Sequence, residues 1–210
     1  MPNILLGATG SVAAIKVPTL CHLLTRAGHA VQVVATRPAL YFFNPAELKV
    51  PVHRDEDEWP GRESGRLYQR DDPVLHIELR RWADVLLIAP LDANTLAKLA
   101  NGLADNCLTC VWRAWDTSRP VVLAPAMNTF MWEHPLSVRH FRQLAVDAGA
   151  GEAPAALDLE SLVEWINQHC PWLHIVPPVN KRLACGDVGV GALASVEEIV
   201  AAVHSSLNTR

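Results

Sequence analysis

Four short apolar runs, at residues 4–6, 31–35, 85–89 and 121–124, constrain this chain more than any other feature. Each is too short for a core helix and lacks the polar alternation of a half-buried strand, so each reads as a strand covered on both faces. Strands of that kind belong to parallel sheets, whose neighbours must be joined by long crossovers, usually helices. The gaps supply them. Residues 11–26 carry Val12, Ile15, Leu20, Leu23 and Leu24 before Gly28, open on Ser11 as an N-cap, and contain Pro18, which predicts a bend or interruption. Further helices are expected over 94–100, 107–115, 138–148, 159–169 and 196–207. The alternation gives an open α/β layered domain with right-handed connections.

Composition excludes several classes of function. The chain has 210 residues, 50% of them hydrophobic, which supports one well-cored domain. Eighteen Lys+Arg against 22 Asp+Glu leave a net charge of −4, so no broad attraction to nucleic acid or an anionic membrane is expected. Five cysteines, at 21, 107, 110, 170 and 185, are odd in number and widely spread, which predicts reduced thiols and a cytoplasmic location rather than a disulfide framework. The amino terminus lacks a basic region and a signal-length apolar run, and no stretch reaches the roughly 18 apolar residues of a membrane span.

Two stretches break the rhythm. Residues 54–72 are charged and rich in Gly and Pro, and read as an exposed loop that could serve as a lid. Residues 149–156 lead into a helix and then the apolar run 172–176. The expectation is a single domain over 1–210 with a surface insertion near 149–172.

Candidate chemistry gathers where strands end. Gly7-Ala8-Thr9-Gly10-Ser11 lies between the first strand and the first helix, where backbone N–H groups and the helix dipole favour a phosphate; a tight strand-to-helix turn accounts for the same residues. Its spacing is neither that of a dinucleotide fingerprint nor that of a P-loop. Asp92-Ala93-Asn94-Thr95 and Pro125-Ala126-Met127-Asn128 follow two further strands, at the carboxyl edge where open α/β sheets bind ligands. Asp92 or Asn94 can equally cap the next helix. His76 sits between Leu75 and Ile77, a setting that suits a hydrogen-bonded structural histidine. Cys107 and Cys110 form a single CxxC with apolar neighbours, which reads as packing, and no histidine spacing suggests a metal. Cys185 lies between Lys181-Arg182 and the glycines at 186, 189 and 191, so it is a thiolate, a protonated acid or an ordinary loop thiol.

Taken in order, Gly7-x-Thr9-Gly10-Ser11-Val12-Ala13-Ala14, His76-Ile77-x-Leu79-x-x-Trp82-Ala83-Asp84, Ala89-Pro90-Leu91-Asp92-Ala93-Asn94-Thr95, Pro125-Ala126-Met127-Asn128-x-x-Met131-Trp132 and Leu183-x-Cys185-Gly186-Asp187 resemble the phosphopantothenoylcysteine decarboxylase family. These are flavin-containing cysteine decarboxylases, and the run 72–135 is especially similar. The resemblance implies a Rossmann-like subunit with an open parallel sheet and helices on both faces, assembled as a homotrimer with FMN at the subunit interfaces. Gly10, Ser11, Val12, Thr36, Phe42, Asp92, Ala93, Asn94, Thr95 and Ala126 would then hold FMN. It further implies His76 as the active-site histidine, Asn128 as the ligand of the substrate carboxylate, and Cys185 as the proton donor on a flap that also carries Lys181, Arg182 and Ala184. The implied reaction converts 4′-phospho-N-pantothenoylcysteine to 4′-phosphopantetheine in coenzyme A biosynthesis. It runs through transient oxidation to a thioaldehyde, loss of CO2 and re-reduction of the enethiol. Two other classes remain in view: a non-catalytic regulator related to fungal phosphatase inhibitors, against which the missing acidic tail counts, and related flavin prenyltransferases or peptidyl-cysteine decarboxylases.

Overall fold

Every apolar run named above becomes a strand. The computed structural model describes residues 1–182, 186 and 188–208. Six strands, β1 (Asn3–Ala8), β2 (Ala30–Ala35), β3 (Val52–Arg54), β4 (Val85–Leu91), β5 (Val121–Pro125) and β6 (Leu173–Ile175), form one parallel sheet in the order β3-β2-β1-β4-β5-β6. The order reverses between β1 and β4, which opens a crevice at their carboxyl ends. This is the Rossmann-like arrangement. A separate antiparallel hairpin pairs β7 (Val179–Arg182) with β8 (Val188–Ala192).

Because strand side chains alternate, the sheet feeds two cores. Leu5, Leu86, Ile88, Val121 and Leu123 point to one face. There they meet α2 (Leu75–Trp82), α3 (Ala93–Ala100), α4 (Cys107–Arg113), α6 (Pro135–Asp147) and α7 (Leu159–His169), through Leu79, Leu96, Leu108, Phe141 and Ile166. Ile4, Leu6, Val85, Leu87 and Val122 point to the other face, against α1 (Val17–Arg26) and α8 (Val196–Asn208) through Leu20, Leu24, Ile199 and Val203. A single turn, α5 (Thr129–Trp132), follows β5.

The interruption expected at Pro18 is present, and two other segments differ from their sequence-based expectations. A 3-10 turn at Val12–Lys16, capped by Ser11, comes first, and Pro18 lies in the first turn of α1, where its missing N–H costs no hydrogen bond. Residues 54–72 are largely exposed but include two 3-10 turns, Asp55–Glu58 and Arg62–Ser64, and Glu58 is buried. The segment 149–172 is not a surface appendage. Leu159, Leu162, Val163 and Ile166 of α7 are buried in the first core, and the Arg142 guanidinium donates to the carbonyls of Ala153, Pro154, Ala155 and Leu157 at 2.9–3.2 Å, holding the preceding loop down.

Two stability predictions follow from this packing. Phe141 is fully buried and meets Trp132 edge-on at 5.5 Å, so Phe141→Ala should lower unfolding free energy by about 3–5 kcal/mol in urea titration; a loss below about 1 kcal/mol would contradict the packing. Burial lowers the pKa of His29, His53, His140 and His174, with the neighbouring His204 adding to the effect at His29. Below the ordinary histidine range the unfolded chain therefore takes up protons that the folded chain refuses, and stability falls as pH drops. The urea midpoint should be lower at about pH 5.5 than at about pH 7.5, and equal midpoints would count against it.

Candidate functional site

The crevice at the β1/β4 reversal is built by one buried hydroxyl. Thr9 Oγ1 donates to the Pro90 carbonyl at 2.7 Å and accepts from the Asp92 backbone N–H at 2.8 Å, stitching the turn after β1 to the turn after β4. Asp92 is the N-cap of α3, its Oδ1 accepting from Thr95 N at 2.6 Å, so the capping reading of that residue is correct. Thr95 is buried behind it. Gly10 is required by close approach: a Cβ there would lie 2.6 Å from Pro38 Cβ and 3.1 Å from Asp92 Oδ2.

Above these turns lies a cavity of about 1070 Å³. Gly10, Ser11 and Val12, Asp92, Ala93 and Asn94, and Ala126 and Asn128 line it from three strand ends, and Lys181 and Arg182 of β7 line it from the hairpin. Ten of the residues named from sequence thus converge on one space. Asn128 caps α5, its Oδ1 accepting from Phe130 N at 2.9 Å. Gly189 and Gly191 of β8 let the hairpin close on this turn: a Cβ at 191 would meet the Met127 carbonyl at 2.3 Å, and one at 189 the Thr129 hydroxyl at 2.5 Å. The Met127 N–H donates to the Gly191 carbonyl at 2.9 Å. Gly189 and Gly191 therefore serve close packing. Ala184 and Cys185, between β7 and β8 in the sequence, lie outside the described residues.

Thr36, Phe42 and His76 do not line this cavity within one chain. Thr36 follows β2 and is buried, yet its Oγ1 has no hydrogen-bond partner. His76 lies in α2, where it meets a residue that sequence reasoning missed. Glu58 Oε2 accepts from the His76 backbone N–H at 3.1 Å, and Glu58 Oε1 contacts His76 Nδ1. Glu58 closes the acidic run Asp55-Glu56-Asp57-Glu58, and such runs are ordinarily solvated, so nothing in the local sequence marks the last member as buried. The Cys107 thiol is pushed up by burial, then by the charge of Glu58 and a hydrogen bond with it; burial and Glu58 also raise Cys110. The ligand atoms of Glu58, His76 and Cys110 lie within 4.8 Å of one another; Glu58 meets His76 there, while the Cys110 thiol donates to the Ala104 carbonyl at 3.6 Å.

Comparison with known proteins matches residues 1–208 to the Flavoprotein family. The mouse protein named phosphopantothenoylcysteine decarboxylase is 46% identical over 207 residues, covering 98% of this chain and 87% of that protein. The chain belongs to the phosphopantothenoylcysteine decarboxylase family of flavoproteins. An Arabidopsis thaliana member is likewise 46% identical, over 97% of this chain and 84% of its own length. Among solved structures, a cysteine-to-serine variant of the family's decarboxylase, complexed with pantothenoylaminoethenethiol, superposes with a TM-score of 0.77 at 44% identity, covering 97% of each chain. The FMN binding protein AtHal3 superposes with a TM-score of 0.74 at 46% identity, covering 97% of this chain and 95% of that one.

Gly191→Ala must push β8 away from the Met127 carbonyl. Thermal unfolding should show a loss of about 1–3 kcal/mol, and an unchanged melting temperature would contradict the close approach.

Proposed function

We propose that the chain catalyses FMN-dependent decarboxylation of 4′-phospho-N-pantothenoylcysteine to 4′-phosphopantetheine in coenzyme A biosynthesis. The observation that carries this reading is 46% identity, over 97–98% of the chain, to relatives that bear the enzyme's name. The site's chemistry supports FMN. Gly10 lets the turn after β1 pack against Pro38 and Asp92 more closely than any side chain would permit, Ser11 and Val12 present backbone at the head of a helical turn, and the orphaned Thr36 hydroxyl lacks a partner that a ligand could supply. Gly10, Ser11, Val12, Thr36, Phe42, Asp92, Ala93, Asn94, Thr95 and Ala126 would hold the cofactor. Bound FMN would supply a reversible two-electron acceptor, which would allow transient oxidation of the thiol-bearing carbon to a thioaldehyde, loss of CO2 and re-reduction of the enethiol.

The protein's own groups bind and move protons. Asn128 lies at the cavity wall where an amide can hold the substrate carboxylate, with Lys181 and Arg182 of β7 lining the same cavity; Ala184 is proposed as a further substrate contact. His76 takes the proton of the substrate thiol, and Cys185 protonates the enethiol carbon. His76, Thr36 and Phe42 are missing from the cavity wall that carries Asn128, which supports a site completed by a neighbouring copy in a homotrimer. Tyr41 (87% exposed) and Phe130 (77%) are large apolar side chains suited to burial in such contacts. The reading includes a cytoplasmic enzyme acting on a small thiol, without nucleic-acid or membrane partners; no helix of the described residues is long and apolar enough to cross a membrane.

Mass-spectrometric assay of the flavin-loaded protein with 4′-phospho-N-pantothenoylcysteine should detect 4′-phosphopantetheine. Cys185→Ser should instead accumulate the oxidised enethiol, and His76→Asn should lose about 100-fold or more in kcat. Flavin-loaded protein without product would overturn the reading. Light scattering should give a trimer, and a monomer at assay concentration would contradict the shared site.

A further inference from the structure

We propose that Glu58 is a positioning residue for His76, holding the imidazole with Nδ1 protonated so that Nε2 is the nitrogen offered to substrate. The inference rests on the proposed role of His76 and goes beyond it by naming what sets that residue's tautomer.

The argument begins with burial. Glu58 is only 6% exposed, although it ends a run of four acidic residues. A carboxylate taken out of water is tolerated only where donors replace the lost solvent. Two of those donors belong to His76: its backbone N–H reaches Oε2 at 3.1 Å, and its Nδ1 meets Oε1. One carboxylate thus grips the start of α2 and the imidazole ring together, which fixes both where the ring sits and how it is turned. Both oxygens act as acceptors, so Nδ1 carries the proton and the lone pair stays on Nε2.

The surroundings add a thiol donor to Glu58, from Cys107, alongside the two donors of His76. Asp55 shares the 3-10 turn, and α4 contributes Cys107 and Cys110, which burial and Glu58 keep protonated. Lys98, a cation that acts on Asp55, is engaged with Asp105 at 2.7 Å. When Nε2 takes the proton of a substrate thiol, the ring becomes an imidazolium with a proton on each nitrogen and the thiol becomes a thiolate. Glu58 stays a carboxylate and offsets the new charge, and the proton later leaves from Nε2. Nothing else is gained or lost. An amide in place of Glu58 cannot do this. Its single oxygen can serve the backbone N–H or Nδ1, and its NH2 must then face the other, which either sets two donors against each other or draws the lone pair to Nδ1.

The test combines a tautomer measurement with kinetics on the flavin-loaded enzyme. In 15N-histidine-labelled protein, with the His76 signals assigned by their loss in His76→Asn, wild type should show the Nδ1–H tautomer when neutral. Glu58→Gln should raise the Nε2–H population and lower kcat by about 10-fold or more while KM changes less than about threefold and flavin content is unchanged. Glu58→Asp, which keeps the charge, should recover part of the lost kcat. An Nε2–H tautomer in wild type would overturn the proposal even if the variants fail to fold. So would unchanged kcat in Glu58→Gln alongside an inactive His76→Asn. Full activity in His76→Asn would instead remove the role of His76 on which the proposal rests.

Discussion

The Thr9 hydroxyl is the bond on which the crevice depends. It lies between the two central strands, donates to the end of β4 at Pro90 and accepts from the first residue past it, Asp92. Buried as it is, the hydroxyl would cost free energy if either partner moved away, so it keeps the two turns in one relative position. Asp92 is thereby placed to cap α3 and to stand close to Gly10, and the loop after β1 can approach only because residue 10 has no side chain. The site is a consequence of two strand ends being locked together at a point where the chain reverses direction across the sheet.

That lock needs a rigid floor. All seven residues of β4 are buried, and β1 pairs with β2 on one side and β4 on the other, so the crevice lies over the most constrained part of the sheet. The β7/β8 hairpin and the turns after β2 and β3, which carry the other residues proposed for the site, lie at the margin. This division of labour suits a ligand site, with a rigid wall to orient and edges that a neighbouring copy or a hairpin can complete.

Much of this was legible in the sequence because the apolar runs and the 3.6-residue periodicity reflect burial directly. β3 was not, since Val52-His53-Arg54 is a three-residue edge strand without an apolar run. α2 was also missed: Leu75-His76-Ile77-Glu78-Leu79-Arg80-Arg81-Trp82 is short and half polar, and only Leu79 is buried. The segment 149–172 read as surface because its first part is small and polar, while the buried stripe of α7 was visible only as one more amphipathic helix. Within the site, Gly10, Asp92 and Asn128 announced themselves by following strands. Thr9 and Glu58 did not, because a threonine next to glycines and a glutamate in an acidic run have commoner explanations; their meaning comes from residues 81 and 18 positions away.

The central claim is that this chain removes CO2 from a cysteine-derived thiol without net oxidation. It is tested most directly by incubating the flavin-loaded protein anaerobically with substrate labelled in the cysteine carboxylate and counting released CO2 against 4′-phosphopantetheine. The account predicts one CO2 for each product molecule over many turnovers, with no added oxidant or reductant. Release limited to one equivalent per bound flavin, or none, would contradict it.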